Sequence, residues 1–294
     1  MAQPDASPMI ERAFRLVLPR KRSSCAVFSS PHSGRRYPPS FMARVVLDEL
    51  RLRSSEDAYV DRLIEAAPRF GAPLLAATYS RAFVDLNRAA SEMDPAVVHG
   101  APKQPTNARI CAGLGVIPRV VGEGREIMSG KITLFEAESR LARGYRPYHN
   151  CLARLLTDSR DRFGEAILFD CHSMPSEARR AAPRMAAGPP DIVLGDRYGA
   201  ACAPWVFEAA HAAFVDAGFR VARNAPFAGG HITQYYGRPS QNTHALQIEI
   251  DRAIYMDEAN ITPNPGFDAI RDRLSGVLDA LSRLRNPGQA MAAE

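Results

Sequence analysis

The feature that most constrains the fold is a short apolar run that ends in a group of polar, chemically active side chains. Residues 166–169 read Ala-Ile-Leu-Phe and are followed by Asp170, Cys171, His172 and Ser173. An apolar run of this length bounded by polar residues predicts a buried strand. Because open α/β sheets carry their functional groups at the carboxyl ends of strands, we expect a site near His172.

A second run of the same kind occurs early in the chain. Residues 25–30 predict another short strand, and His32, Ser33 and Gly34 follow it. Two histidines that each follow a strand can meet at one edge of a sheet although they are far apart in sequence. Such a pair suits either a metal ion or acid–base chemistry.

The rest of the chain alternates between predicted strands and helices. Strands are predicted at 74–78, 82–86, 191–194, 219–222 and 245–250, and helices at 56–70, 134–163 with an interruption near Pro147, 205–217 and 267–284. This alternation predicts an α/β fold with a mostly parallel mixed sheet flanked by helices. No repeat or linker divides the chain, so we predict one domain at 23–294 after a flexible N-terminal arm at 1–22. Residues 91–133 are the least regular part, and a loop of this length is usually functional or mobile.

Charge, cysteine content and hydropathy narrow the class of protein. The formal net charge is +5, but the arginines are scattered and form no basic stripe, so we expect no nucleic-acid partner. A mild positive charge instead suits a small anionic substrate. The five cysteines include no Cys-x-x-Cys pair, which argues against a zinc knuckle or a disulfide framework. No apolar run approaches the ~18 residues that span a membrane, and no signal peptide is evident, so we expect no membrane partner and a cytoplasmic location.

The two histidines are candidate metal ligands. His32 and His172, together with a carboxylate from Glu56 or Asp57, would form a set of two histidines and one carboxylate that is common in hydrolytic zinc sites. Each histidine can equally satisfy a loop backbone, and no His-Glu-x-x-His motif decides between the two interpretations.

Glu249 is the candidate acid–base residue. It lies between Ile248 and Ile250 in a predicted strand, where burial of a carboxylate is costly and raises its pKa. Glu249 is therefore either a general base or one partner of a buried ion pair with Arg252 or Arg88.

An anion site is indicated by Arg81, Asn87 and Arg88, the last two within the run Asp-Leu-Asn-Arg at 85–88. A guanidinium binds a carboxylate through two parallel hydrogen bonds, and asparagine adds a neutral donor. The alternative is a structural ion pair of Arg88 with Asp85 or Asp94.

Covalent catalysis is disfavoured. Cys171 and His172 are adjacent on a predicted strand and point to opposite faces, so they do not form a nucleophile–base pair. The sequence contains no Gly-x-Ser-x-Gly elbow and no phosphate-binding glycine loop.

Taken in order along residues 25–258, these segments resemble the N-formylglutamate amidohydrolase family. The matching segments are Ser-Pro-His-Ser-Gly at 30–34, Glu-Asp-Ala-Tyr-Val-Asp at 56–61, Arg81, Asp-Leu-Asn-Arg at 85–88, Tyr-Arg-Pro-Tyr-His at 145–149, Asp-Cys-His-Ser-Met at 170–174, Asn-Ala-Pro-Phe-Ala-Gly-Gly at 224–230 and Gln-Ile-Glu at 247–249. The resemblance implies a fold related to the zinc carboxypeptidases. It also implies hydrolysis of an N-acyl amino acid such as N-formyl-L-glutamate, whose products in histidine breakdown are formate and glutamate.

The resemblance further implies a cofactor and its ligands. It implies Zn²⁺ bound by His32, Asp57 and His172. The His-x-x-Glu motif of the carboxypeptidases is absent after His32, so that motif does not identify the acidic ligand. Asp57 is preferred because it falls in the matching segment 56–61, and Glu56 is the alternative.

Roles for the remaining residues follow from the same resemblance. Glu249 would be the general base, and Arg81, Asn87 and Arg88 would bind a substrate carboxylate.

Other functions remain open from the sequence. The same site suits a carboxypeptidase or a peptidoglycan-type amidase, and a non-catalytic protein that binds acidic amino acids would show the same anion-binding residues. The sequence fixes neither the acyl group, nor the amino acid, nor the oligomeric state.

Overall fold

A computed structural model describes residues 13–102, 107–182 and 188–286. The strands are β1 (Phe14–Val17), β2 (Ala26–Ser30), β3 (Leu74–Ala77), β4 (Val98–His99), β5 (Val120–Val121), β6 (Arg125–Glu126), β7 (Ile132–Thr133), β8 (Ala166–Met174), β9 (Ile192–Gly195), β10 (Val221–Arg223), β11 (Thr243–Asp251), β12 (Met256–Asp257) and β13 (Thr262–Pro263). The helices are α1 (Pro39–Met42), α2 (Glu49–Arg53), α3 (Val60–Leu63), α4 (Ala108–Cys111), α5 (Leu134–Arg140), α6 (Arg146–Phe163), α7 (Pro204–Asp216), α8 (His231–Tyr236) and α9 (Phe267–Ser282).

Seven strands form a central mixed sheet in the order β1-β3-β2-β8-β11-β9-β10. The inner strands β3, β2, β8 and β11 are parallel to one another, whereas β1 and β9 run antiparallel to their neighbours β3 and β11. The prediction of a mostly parallel mixed sheet flanked by helices is therefore confirmed. Strands β8 and β11 are paired over nine residues each, which fixes the relative positions of the side chains they carry.

Helices cover both faces of the sheet and divide the core in two. On one face, Phe28 and Phe169 stack with ring centroids 5.2 Å apart and belong to a cluster that includes the buried sides of α7 and α9. On the other face, Val27 and Leu168 belong to a cluster with the buried side of α6. Neighbouring residues on a strand point to opposite faces, which explains why each strand contributes to both clusters.

The predicted helix at 134–163 and its interruption are confirmed in outline. Helix α5 passes through a π-helical segment at residues 141–145 directly into α6. Pro147 lies in the first turn of α6, where a missing N–H costs nothing. Gly164, in the left-handed conformation with φ 76°, ends the helix.

The predicted strand at 82–86 is wrong. Residues 81–88 form successive turns, and the backbone amides of Phe83 and Val84 bond to the carbonyl of Ser80. Ala82, Phe83 and Val84 are buried because they pack in the core on the α6 side and not because they belong to the sheet. An apolar run alone does not separate these two situations.

The predicted helix at 56–70 is also wrong as a single element. It is replaced by α3 and a 3₁₀ turn at Ala67–Phe70 that contains Pro68. Tyr59 adopts a left-handed conformation with φ 66° immediately before α3, so no helix continues from residue 56.

The expected N-terminal arm at 1–22 also differs from the structure. Residues 14–17 form the edge strand β1, which pairs antiparallel with β3; residues 1–12 lie outside the described part of the chain. Among the described residues, no helix has the length and apolar character needed to cross a membrane. The cytoplasmic location stays a prediction.

Candidate metal centre and active-site cleft

The sheet face on the α6 side changes from apolar to polar along its strands. Val27, Leu168 and Ala245 lie at its apolar end. Two and four residues further along β8 the same face carries Asp170 and His172, and β11 carries Glu249 opposite His172 in register. The polar groups thus lie at the carboxyl ends of the parallel strands, where an α/β sheet is expected to carry its chemistry.

Three buried side chains converge at this edge. One ligand atom from each of His32, Asp57 and His172 lies within 4.8 Å of the others. His32 follows β2, and its carbonyl accepts a hydrogen bond of 3.0 Å from the amide of Asp57, which fixes the two residues relative to each other. Oδ2 of Asp57 lies 2.9 Å from Nδ1 of His172 and 3.4 Å from Nδ1 of His32. The convergence of the three predicted metal ligands makes them a candidate metal centre.

A buried carboxylate contacts the outer nitrogen of each histidine. Nε2 of His32 lies 2.7 Å from Oδ1 of Asp85, and Nε2 of His172 lies 2.9 Å from Oδ2 of Asp170. When Nε2 carries the proton and donates it to the carboxylate, the lone pair of Nδ1 points to the centre of the cluster. This pairing of carboxylate and histidine is the usual arrangement behind histidines that bind metal ions.

The donor set fits a divalent cation. Nδ1 of His32 is buried and, among the described residues, has no hydrogen-bond partner, which is costly for a polar atom unless it binds a ligand. Burial alone lowers the pKa of His172, but Asp170 and Asp57 raise it well above its ordinary value. The two carboxylates therefore favour a positive charge at this position, which a bound cation would supply. Two nitrogens and one carboxylate oxygen are a suitable set for zinc.

The second oxygen of Asp57 is bound on the protein side. Oδ1 accepts hydrogen bonds of 3.2 Å from Nη2 of Arg252 and 3.3 Å from Oγ of Ser173. Arg252 also donates to Ser173 and to the carbonyl of Ser54. Burial alone raises the pKa of Asp57, but its contacts with the two histidines lower that pKa well below its ordinary value. Asp57 is therefore an anion whose second oxygen, Oδ2, faces the two histidines.

Glu249 lies beside this cluster and has no basic partner within ion-pair distance among the described residues. Its Oε1 accepts a hydrogen bond of 2.8 Å from Nε2 of Gln247. Burial, together with the charge of Asp57, raises the pKa of Glu249 to about 7, although His172 and Arg252 oppose the shift. The ion pair of Glu249 with Arg252 or Arg88 that the sequence left open is not formed. A carboxyl group with this pKa is suited to accept and return a proton near neutral pH.

The anion-binding residues lie in the turn segment 81–88. Nη2 of Arg81 bonds to Oδ2 of Asp85 at 2.8 Å. Arg88 donates from Nε to the carbonyl of Leu114 and from Nη1 to the carbonyl of Asn87. The alternative ion pair of Arg88 with Asp85 is not formed, because Asp85 binds His32 and Arg81 instead.

Asn87 is more constrained than the sequence indicates. Its Oδ1 accepts from the amide of Ile232 at 2.8 Å, and its Nδ2 lies 3.3 Å from Nε2 of His172. Gly230 packs against the amide group so closely that a Cβ atom there would lie 2.3 Å from Nδ2 of Asn87. Position 230 must therefore carry glycine to leave room for Asn87.

All of the candidate residues line one cleft of about 580 Å³. Its walls include the metal cluster, Glu249, the segment 81–88, the turn at 226–230 and residues from 109–124. The irregular region at 91–133 therefore supplies part of the wall. Three residues in or next to the cleft escaped prediction as site residues: Asp170, Arg252 and Arg109. Asp170 could have been predicted, because side chains two residues apart on a strand point to the same face and Asp170 precedes His172 by two. Arg252 and Arg109 reach the cleft only through tertiary structure.

Comparison with known proteins identifies the family. A model of the N-formylglutamate amidohydrolase family matches residues 24–256. The chain belongs to this family. An N-formylglutamate deformylase of Pseudomonas aeruginosa is 36% identical over 236 residues, which are 79% of this chain and 82% of that protein. An N-formylglutamate deformylase of Pseudomonas putida is 33% identical over 236 residues, with the same shares covered.

Solved structures agree with this assignment. The crystal structure of N-formylglutamate amidohydrolase from Ralstonia eutropha has a TM-score of 0.85 and 36% identity, and the match covers 92% of this chain and 98% of that one. A gene product of Agrobacterium tumefaciens, with a TM-score of 0.61 and 16% identity over 96% of both chains, shares the fold. As a member of the N-formylglutamate amidohydrolase family the chain is a hydrolase that acts on an amide, and not a non-catalytic binding protein.

Proposed function

We propose that this enzyme is a zinc-dependent hydrolase that cleaves N-formyl-L-glutamate into formate and L-glutamate, as a step in histidine breakdown. The observation that carries the proposal is the convergence of His32, Asp57 and His172 within 4.8 Å. Next to them lies Glu249, which forms no ion pair with a basic residue in the described part of the chain. The names of the two deformylases supply the substrate.

His32, Asp57 and His172 would hold the zinc ion. Three protein ligands leave the fourth position of a tetrahedral ion open for chemistry. A zinc ion bound there would supply Lewis acidity toward the formyl carbonyl and toward the attacking water. Asp85, Asp170 and Arg252 keep the three ligands in their orientation through the contacts described above.

Glu249 would move the protons. It accepts one proton from the water whose oxygen bonds to the formyl carbon, and donates it to the nitrogen of glutamate as the C–N bond breaks. One water is consumed, and formate and L-glutamate are released. Its burial next to the three ligands, with a hydrogen bond from Gln247 and no ion pair to a described basic residue, places Glu249 where it can perform both transfers.

Arg88 and Asn87 would bind the α-carboxylate of the substrate. The Nη2 group of Arg88 is not engaged in the contacts that hold Nε and Nη1. Arg81 would contribute positive charge to the same wall, since its side chain lines the cleft while it binds Asp85.

The test compares three substrates, each assayed with zinc-loaded protein, with metal-free protein and with protein to which zinc has been returned. Zinc-loaded protein is assayed for release of free amine from N-formyl-, N-acetyl- and N-succinyl-L-glutamate, and the assay is repeated after chelation and after zinc is added back. We expect the N-formyl compound to be hydrolysed fastest, the activity to vanish on chelation, and zinc to restore it. Full activity in metal-free protein, or no hydrolysis of any N-formyl amino acid, would refute the proposal.

A further inference from the structure

Four arginines line the cleft, and only two of them are neutralised by carboxylates. Arg81 lies 2.8 Å from Asp85, and Arg252 lies 3.2 Å from Asp57. The remaining two are Arg88 and Arg109. Within residues 13–102, 107–182 and 188–286, neither has a carboxylate within ion-pair distance.

Arg88 and Arg109 thus present to the cleft two guanidinium groups that form no ion pair with a described carboxylate. Arg88 donates two of its N–H groups to carbonyls, which are neutral. The side chain of Arg109 is exposed and makes no hydrogen bond to any described residue. Burial lowers the pKa of Arg88; the charge of Asp85 opposes this shift, and the positive charges of Arg81 and Arg109 add to it. Two like charges next to one cleft are unfavourable without a ligand, so they are suited to a ligand with two negative charges.

Two short series of hydrogen bonds link the backbone at Arg109 to Arg88 and the residues that follow it. The amide of Leu114 donates to the carbonyl of Arg109 at 2.8 Å, and the carbonyl of Leu114 accepts from Nε of Arg88 at 2.8 Å. A second connection runs through Glu92, which accepts from the amide of Ala89 at 2.9 Å and from Nδ2 of Asn107 at 2.6 Å.

Asn107 completes that second connection. Its Oδ1 caps α4 by accepting from the amide of Arg109 at 2.8 Å. Helix α4 is therefore fixed to the segment that follows Arg88 at both its start and its end. These contacts fix the backbone at Arg109, and therefore the start of its side chain, relative to Arg88.

We propose that Arg109 is a specificity-determining residue that binds the side-chain carboxylate of the substrate, while Arg88 binds the α-carboxylate. This inference rests on the proposed function and adds to it a residue that selects dianionic N-formyl amino acids over those with neutral side chains. It also gives the irregular region at 91–133 a role, since this region supplies the second positive charge.

The main test compares two substrates that differ in one charge. Wild type, Arg109→Gln, Arg109→Lys and the control Arg160→Gln, on the exposed end of α6, are assayed with N-formyl-L-glutamate and N-formyl-L-glutamine. We expect wild type and the control to prefer the glutamate compound. Arg109→Gln should lower kcat/KM for N-formyl-L-glutamate by about 10- to 100-fold, the usual worth of a hydrogen bond to a charged group. It should leave kcat/KM for N-formyl-L-glutamine within about twofold, and Arg109→Lys should lie between.

A binding measurement separates this inference from the proposed function. Titration calorimetry with L-glutamate and L-glutamine on the same four proteins needs no turnover, and we expect Arg109→Gln to weaken binding of L-glutamate alone. If wild type hydrolyses no N-formyl amino acid, the proposed function fails while the binding arm still tests Arg109. If Arg109→Gln changes both substrates and both ligands equally, or changes none, the assignment of Arg109 is overturned.

Discussion

Single side chains at the centre of this enzyme are oriented by partners on the side away from the cleft. Asp85 and Asp170 bind the outer nitrogens of His32 and His172, and Arg252 binds the outer oxygen of Asp57. Each of the three proposed metal ligands is therefore held in its orientation by a further contact to the protein. Within the described ranges, Gln247 is the one side chain that hydrogen-bonds to Glu249, which leaves the other carboxylate oxygen available for proton transfer.

Glu249→Gln keeps the size of the side chain and removes the proton acceptor. We expect kcat to fall by about 10²–10⁴-fold, the usual contribution of a positioned base, while zinc content stays unchanged. Glu249 must be ionised to accept a proton, so the wild-type rate should fall as pH decreases through the pKa of Glu249, and this acid limb should be absent in the variant. Unchanged kcat with lost stability would make Glu249 structural, and Glu56 would be the next candidate.

Arg88→Ala should raise KM far more than it lowers the melting temperature. The lost charge-assisted contact costs on the order of 2–5 kcal/mol of substrate binding, whereas the folded chain loses two hydrogen bonds to backbone carbonyls. Steady-state kinetics and thermal unfolding of the same preparation measure both effects. If wild type hydrolysed N-formyl-L-glutamate and its α-amide with equal kcat/KM, the enzyme would not recognise the α-carboxylate.

At the scale of secondary-structure elements, β8 and β11 determine the site. Their nine-residue parallel register places Glu249 beside His172, and the period of two along β8 places Asp170 on the same face. Both strands were predictable: β8 begins as an apolar run with polar residues at its end, and β11 carries apolar residues that alternate with Gln247 and Glu249. The turn segment 81–88 was not, because its apolar residues pack in the core without joining a sheet.

Asp170→Asn tests the element-scale argument. The amide is the same size but is neutral, so it no longer favours the Nε2–H form of His172 whose Nδ1 faces the metal. We expect zinc affinity to fall about 10- to 100-fold, the usual effect of such a change, while circular dichroism shows an unchanged fold. Competition with a chromophoric chelator gives the affinity, and wild-type affinity in the variant would exclude a role for Asp170.

At the scale of the whole molecule, the site introduces a pH dependence of stability. Glu249 has a folded-state pKa raised to about 7 by burial. A group of this kind contributes stability that is fully present below its unfolded pKa and is lost as pH rises through its folded pKa. Metal-free protein should therefore lose stability between about pH 4.5 and pH 7 through this residue.

Glu249→Gln should remove that part of the pH dependence. At pH 8 we expect the metal-free variant to be more stable than metal-free wild type, by up to about 3 kcal/mol, because each pKa unit corresponds to about 1.4 kcal/mol. Urea unfolding at pH 5 and pH 8 measures the difference. Asp251, whose pKa burial raises to about 6, contributes in the same direction in both proteins and so cancels in the comparison. If the variant and wild type differed in free energy of unfolding by the same amount at pH 5 and at pH 8, Glu249 would not be the source of this pH dependence.

The sequence predicts the architecture and the inner residues of the site better than the outer ones. His32, Asp57, His172 and Glu249 lie in segments whose residue types reveal their chemistry, and the structure brings them together. Arg109 and Arg252 are ordinary arginines in sequence, and only long-range contacts give them a place in the cleft. Residues 14–17, which the sequence placed in the N-terminal arm, form an edge strand because they pair with the distant strand β3.

The metal content of wild type and of His172→Ala tests the central claim most directly. Both proteins are loaded with zinc, freed of unbound metal by gel filtration, and measured by elemental analysis, with Arg160→Gln as a control. The account predicts one zinc per chain in wild type and in the control, and none in His172→Ala. Full zinc occupancy in His172→Ala, or no zinc in wild type after loading, would contradict it.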